Sequence, residues 1–179
     1  LTIWFAHLYG QVTDIRRRFG VGNSAFEPDT LAVAEIGRAS GVGALMHALS
    51  RIADYIHALD DFFGRYDLFL TPTLAKPPLE VGSIDTPKPL QTASRVIAKI
   101  RAGKLLNATG VLDQLISDNL GWVPYTQLAN LTGRPAISVP VHWTEAGLPL
   151  GVQLVGPLAS DALLLRLAAQ LEEAQPWAH

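Results

Sequence analysis

Apolar residues at the start of the chain return at three- and four-residue steps: Leu1, Trp4, Phe5, Leu8, Val12 and Ile15. That spacing predicts one face of an amphipathic helix. The helix should end near Gly20 and Gly22, which tolerate left-handed backbone. The stretch FEPDTLAVAEIGRAS opens a second helix. Pro28 suits its first turn, and Asp29 complements the positive helix start. The longest periodic stripe follows: Leu45, Leu49, Ile52, Ile56, Leu59 and Phe63. It should pack on a sheet or on another helix, with Gly64 as its end. The short apolar run DLFLTP, Asp67 to Pro72, reads as a buried strand.

The pattern then breaks. PTLAKPPLEVGSIDTPKPL carries Pro72, Pro77, Pro78, Pro87 and Pro89. Prolines lack the N–H donor, so this stretch is expected to be a long surface loop rather than a paired strand. Ser94 to Leu106 and Val111 to Leu120 are weaker helical candidates. Two strand-like runs, RPAISVPVHW and PLGVQLVGP, flank TEAGLP, with Glu145, Ala146 and Gly147 as a hairpin turn. Pro140 interrupts the first run, so its pairing must be one-sided or bulged. Ser160 or Asp161 should cap a last helix that buries Leu163, Leu164, Leu167 and Leu171 and stops at Pro176.

Composition narrows the function classes. The chain has 179 residues, 49% hydrophobic and 17% charged, with a net charge of −2. Such a chain can bury roughly 70% of its unfolded surface, so it is expected to fold around a core. The balanced charge offers no field for nucleic acid or an anionic membrane. Arg16, Arg17 and Arg18 form a basic run that reads as a solvated helix face. Cysteine is absent, which excludes disulfides, thiolate chemistry and cysteine metal sites on this chain. No stretch reaches the ~18 continuous apolar residues of a membrane span. The start lacks a basic leader and a cleavage site, and a cytoplasmic setting is expected. It also opens inside a predicted helix, which suggests that residues precede Leu1.

No self-sufficient catalytic constellation follows from the motifs. Gly-x-Ser-x-Gly, His-Glu-x-x-His and the phosphate-binding glycine loops do not occur. The histidines His7, His47, His57, His142 and His179 have no metal-ligand spacing. Ser138 and His142 are four apart in a predicted strand, which would put both on one side as a nucleophile–base pair. No orienting acid is evident, so a small strand serine bonded to backbone is the plainer reading. Asn107 and Asn130 match the glycosylation sequon without a secretory signal to give it meaning. What remains is a set of polar strand ends and turns, as in the wall of a pocket. YTQLANLTGRPAISVP shows this best, with polar side chains before a Thr-Gly-Arg-Pro turn and an apolar run after it.

Taken in order, FEPDTLAVAEIGRAS, YDLFLTPTLAKPPLEVG, PYTQLANLTGRPAISVP and GLPLGVQLVGPLASDALLLRLAAQLEE resemble the C-terminal part of amidase signature enzymes. The similarity runs from about Phe26 to Glu173. The first motif looks most like the branch with nylon-oligomer hydrolases. The resemblance implies an α/β fold, the C-terminal portion of the family's α/β/α architecture, with a mixed sheet flanked by helices. It also implies amide hydrolysis without metal or cofactor, through two serines and a lysine. Their glycine- and serine-rich signature does not occur here, and Lys76, Lys88, Lys99 and Lys104 sit in unrelated surroundings. No catalytic residue is therefore carried onto this chain. Residues 1–179 are expected to be one C-terminal portion of an amidase domain, inactive alone. The expected partners are a small-molecule amide and the missing N-terminal part, with no nucleic acid and no membrane; homo-oligomers would cover exposed faces.

The resemblance places Thr71, Thr73, Trp122, Tyr125, Thr126 and Asn130 near the substrate. Each also has a structural role open to it: Asn130 in a turn, Thr126 as a helix cap. In the glutamyl-tRNA amidotransferase branch an acidic residue stands three places before the equivalent of Thr126. Here that place is Val123, which argues against a tRNA-linked substrate and suits an uncharged, rather hydrophobic amide. The competing reading is a non-catalytic binding or scaffold module that keeps only this part of the fold.

Overall fold

The computed structural model describes residues 1–82, Val96 and 120–177. The helical candidates Ser94 to Leu106 and Val111 to Leu120 lie outside these residues but for Val96 and Leu120. So do Lys88, Lys99, Lys104, Asn107 and the second half of the proline-rich stretch. The chain divides into two compact units. Residues 1–51 belong to the first, residues 52–82 and 120–177 to the second.

The first unit pairs α1 (Thr2–Phe19) with α2 (Pro28–Ala39), joined through a 3₁₀ turn at Asn23–Ala25. Gly20 ends α1 at φ 64°, and its N–H donates to the Arg16 carbonyl. Pro28 opens α2 as expected. Val12, Leu31 and Ala34 form the core between the helices, with Leu8 and Phe26 packed against them. The predicted stripe of α1 is narrower than its spacing suggested: Phe5 and Val12 are buried, while Trp4 and Ile15 are exposed. Gly37 explains how closely the helices cross. A Cβ there would stand 2.0 Å from the Phe5 carbonyl oxygen.

The basic run is a solvated face, as expected. Arg17 and Arg18 pair with Asp14 at 3.3 and 3.2 Å. Arg16 donates to Asn23 Oδ1 at 2.6 Å and stands over the Phe26 ring. On α2, buried Glu35 accepts two hydrogen bonds from Arg38, at 2.8 and 2.6 Å. This bonding raises the Arg38 pKa above its ordinary value.

Helix α3 (Val42–Phe63) passes from the first unit's residues into the second's. Its apolar stripe is expected to pack on a sheet or on another helix. Leu59 alone is buried, and Leu49 is exposed. Near its end α3 meets the second unit's sheet and turn. Phe62 meets Phe69 edge-on at 5.5 Å, and Asp60 and Phe63 meet Arg134.

The second unit is built on a three-stranded sheet in the order β1, β3, β2, all antiparallel: β1 (Phe69–Pro72), β2 (Ala136–Trp143) and β3 (Pro149–Val155). Strand β1 is shorter and more open than the buried strand expected of Asp67 to Pro72. Among the described residues it pairs with β3 alone, and only Thr71 in it is buried; Leu70 is 62% exposed. The β2–β3 hairpin turns at Gly147, φ 75°, as its sequence predicts. One face of the sheet carries Val139 and Leu154 against Leu164 and Ala168 of α5 (Asp161–Ala174). Burying four such apolar side chains contributes roughly 1.5–3 kcal/mol for each large one. Ser160 takes the N-cap place of α5 but makes no capping bond, so the expected side-chain cap is absent. A short helix, α4 (Thr126–Thr132), precedes β2. Among the described residues no helix is long and apolar enough to cross a membrane.

The bulge expected at Pro140 is present. Pro140 pairs with Gly151 and His142 with Leu150, so Val141 is the extra residue. This settles the relation of Ser138 to His142. Ser138 pairs with Gln153 and His142 with Leu150. Gln153 and Leu150 are three apart on β3, and strand residues alternate faces. A bulge of one residue therefore puts Ser138 and His142 on opposite faces, not on one side as regular alternation suggested.

Candidate functional site

The sheet face opposite α5 is polar. Thr71 and Thr73 at the end of β1, Gln153 in β3 and Ser138 in β2 stand on it. Each is placed by register. Thr71 pairs with Gln153, Ser138 pairs with Gln153 from the other side, and the Thr73 N–H donates to the Gly151 carbonyl at 3.0 Å.

Gly151 lies between Thr73 and Ser138 and has no side chain to separate them. Their hydroxyls meet at 2.6 Å across the middle strand. A Cβ on Gly151 would stand 2.7 Å from Ser138 Oγ and 3.0 Å from Thr73 Oγ1. Gly151→Ala should therefore rotate both hydroxyls and break their bond. The expected loss is about 1 kcal/mol, read as a fall of roughly 2–4 °C in the thermal midpoint. An unchanged midpoint would mean that the hydroxyl pair adds nothing to stability.

Gln153 is 5% exposed. Its Nε2 donates to Thr71 Oγ1 at 3.2 Å and to the Tyr125 carbonyl at 3.4 Å. A backbone carbonyl only accepts, so this contact fixes which end of the amide is nitrogen.

The segment before β2 closes the other side. Thr126 Oγ1 donates to the Val123 carbonyl at 3.3 Å, and Asn130 Nδ2 donates to the Thr126 carbonyl at 2.8 Å. Gly133, φ 67°, ends α4, and the chain turns into β2. Arg134 anchors this turn. Its guanidinium donates to the Asp60 carboxylate and lies 5.7 Å from the centre of the Phe63 ring. The Arg134 side chain is 4% exposed against 56% for Asp60. Arg134 Nε is buried and has no hydrogen-bond partner.

Between these parts lies an open cleft of about 580 Å³. Thr73, Thr126, Asn130, Ser138 and Gln153 give its wall neutral hydrogen-bonding groups; Arg134 and Asp161 also line it. Of the six residues expected at a pocket, the structure brings Thr73, Thr126 and Asn130 to this cleft. Thr71 is buried behind it, holding Gln153. Tyr125 contributes its carbonyl while its side chain is exposed. Trp122 lies off the wall, with Lys76 Nζ 5.2 Å from its ring centre and its carbonyl accepting from Ala75. Sequence reasoning missed Gln153, since a single amide inside PLGVQLVGP reads as part of a core strand. Among the described residues no cluster could hold a metal ion.

The comparisons with known proteins agree on one family. The family model for Amidase matches residues 38–165. The protein called amidase AmiC from Mycobacterium tuberculosis is 36% identical over 179 residues, 98% of this chain and 32% of its own length. The lipoamidase of Enterococcus faecalis is 38% identical over 128 residues, 70% of this chain and 17% of its own. The structure of 6-aminohexanoate cyclic dimer hydrolase superposes with a TM-score of 0.76 at 23% identity, over 98% of this chain and 34% of that one. The chain thus spans between 17% and 34% of the length of these relatives.

Proposed function

The chain belongs to the amidase family, and from that premise we propose that the full-length protein hydrolyses the carbon–nitrogen bond of an uncharged amide. This chain supplies the substrate side of the pocket and part of the core sheet. The observation that carries the reading is the cleft, where Thr73, Thr126, Asn130, Ser138 and Gln153 supply neutral side chains beside Asp161 and an Arg134 paired with Asp60, in a fold shared with the cyclic dimer hydrolase structure. Thr71 and the Tyr125 carbonyl hold Gln153 of that wall, while Trp122 stands off it.

The reacting groups belong elsewhere in this proposal. The family's two serines and lysine lie in the part of the relatives that this chain does not span. The lysine must be neutral to act as a base, so burial and neighbours must lower its pKa. It takes a proton through the second serine and activates the first. Backbone N–H groups hold the oxyanion, and water releases the acyl group. Ser138 and His142 do not make a nucleophile–base pair, since the bulge turns His142 to the other face, and the Ser138 hydroxyl meets Thr73 instead. We further propose a cytoplasmic setting without metal or cofactor. Half-buried Val123, where the amidotransferase branch carries an acidic residue, fits a substrate without net charge at the site.

The test is hydrolysis of 4-nitroacetanilide by this chain and by an upstream-extended chain, side by side. Turnover is expected in the extended form alone. Turnover by this chain alone would overturn the division of labour. No turnover by the extended chain with any simple amide would favour a binding module instead.

A further inference from the structure

Three arginines in a row end α1, and the proposed function uses none of them. Arg16 and Arg17 line a cleft of about 600 Å³ within the first unit, between α1, the 3₁₀ turn and α2. Its floor is apolar: Val12, Leu31 and Ala34 of the helix–helix core reach it. Its rim is cationic. Arg16 donates to Asn23 Oδ1 at 2.6 Å and stands 5.5 Å from the centre of the Phe26 ring. Both partners are neutral, so they hold the guanidinium in place without cancelling its charge. Among the described residues no carboxylate pairs with Arg16. An arginine only donates, so Asn23 turns its oxygen to Arg16 and keeps Nδ2 as a further donor. The carboxylate in the lining is Glu35, and both of its oxygens accept from Arg38, at 2.8 and 2.6 Å. Arg17 and Arg18 share Asp14, one carboxylate for two guanidiniums. Positive charge is therefore left over at the rim.

We propose that this cleft binds a small organic carboxylate with an apolar body. Arg16 and Asn23 Nδ2 donate to the carboxylate, and the body lies on Val12, Leu31 and Ala34. A cavity of this volume takes a small-molecule ligand. The planar guanidinium fork matches a carboxylate in two parallel hydrogen bonds, which a single ammonium does not. The apolar floor offers nothing to a bare inorganic anion, and the rim offers no charge complement to a cation. The ligand class thus combines one negative end with a hydrocarbon part. This inference does not depend on the reaction that the full-length protein performs.

The test uses the full-length protein and three probes, hexanoate, acetate and 1-hexanol, with binding measured by calorimetry. Acetate keeps the charge without the body, and hexanol keeps the body without the charge. Hexanoate is expected to bind at least about tenfold more tightly than either. Arg16→Met should weaken hexanoate binding about tenfold by removing a charge-assisted donor. Asn23→Asp should do the same with Arg16 still present, because the new carboxylate pairs with it. Arg18→Met removes an equal charge from the same helix outside the cleft lining, and it should cost less than about threefold at physiological salt. Equal affinity for hexanoate and hexanol, or for hexanoate and acetate, would overturn the proposal. So would hexanoate binding that Arg16→Met leaves unchanged, or that Arg18→Met weakens as much. Absence of saturable hexanoate binding would also overturn it. If Arg16→Met does not fold, Asn23→Asp set against Arg18→Met decides.

Discussion

Asp60→Ala is expected to destabilise the protein by about 2–4 kcal/mol, while Arg134→Met should change stability by less than about 1 kcal/mol. The asymmetry follows from where the two charges sit. Arg134 is the buried member of the pair, with 4% of its side chain exposed, and Asp60 is 56% exposed. Removing Asp60 leaves a guanidinium in the interior with no counter-charge, and its Nε already lacks a partner. The desolvation of that cation is then uncompensated. Removing Arg134 returns a mostly solvated carboxylate to water. Methionine keeps the contact with Phe63 through a flexible, polarizable side chain of similar length. Thermal unfolding of the two variants checks this, with midpoint falls of roughly 4–15 °C for Asp60→Ala and under about 4 °C for Arg134→Met. Equal losses would mean that the pair acts as a surface bridge and that Arg134 is better hydrated than its burial indicates.

Gly37→Ala is the second large effect, an expected loss of about 2–3 kcal/mol despite alanine's better helix propensity. In an exposed helix the change would gain about 1 kcal/mol. Here the added Cβ would stand 2.0 Å from the Phe5 carbonyl oxygen, 2.4 Å from its carbon and 2.9 Å from the Ala6 nitrogen. All three are backbone atoms of α1, so no side chain can rotate away. The helices must separate, and the contacts of Val12, Leu31 and Ala34 loosen with them. Gly43 is the control: it also lies in a helix, and no atom stands within 4 Å of its missing Cβ. Gly43→Ala should be neutral or stabilising. A Gly37→Ala protein as stable as its Gly43→Ala counterpart would contradict the close crossing of α1 and α2.

The elements that periodicity and punctuation define were legible in the sequence. Helices α1 and α2 begin and end where Gly20 and Pro28 place them, and the β2–β3 hairpin turns at Gly147. Three features were not, each for a physical reason. Helix α4 is TQLANLT, only 7 residues, with two threonines and an asparagine that favour caps and turns. Its position between Gly133 and the chain before it holds it, not its propensity. Strand β1 reads as a buried apolar run, yet among the described residues it pairs with β3 alone, and the number of a strand's partners is something no local pattern states. The Ser138–His142 relation failed because one bulged residue reverses alternation.

The candidate site divides in the same way. Thr73, Thr126 and Asn130, which the family resemblance singled out, line the cleft. Trp122 and Tyr125 belong to the same cluster in sequence, but their rings turn elsewhere. Tyr125 works through its carbonyl, a group common to every residue and therefore invisible in side-chain reasoning. Gln153 was hidden because its partners, Thr71 and Tyr125, are distant in sequence and meet it only through the sheet.

The bare backbone of Gly151 makes three positions into one unit of inheritance. Ser138 and Gly151 come from β2 and β3 and Thr73 from the residue after β1, and the two hydroxyls are 65 residues apart. Each is acceptable only in the company of the others. An alanine at 151 would be tolerated best where evolution or a designer has first reduced position 73 or 138 to a residue without a hydroxyl. A larger residue at either of those positions would need the glycine to stay. Variation at the three sites should therefore be correlated rather than independent, and recombining this protein with a relative between residues 73 and 138 should succeed only when both parents carry compatible trios.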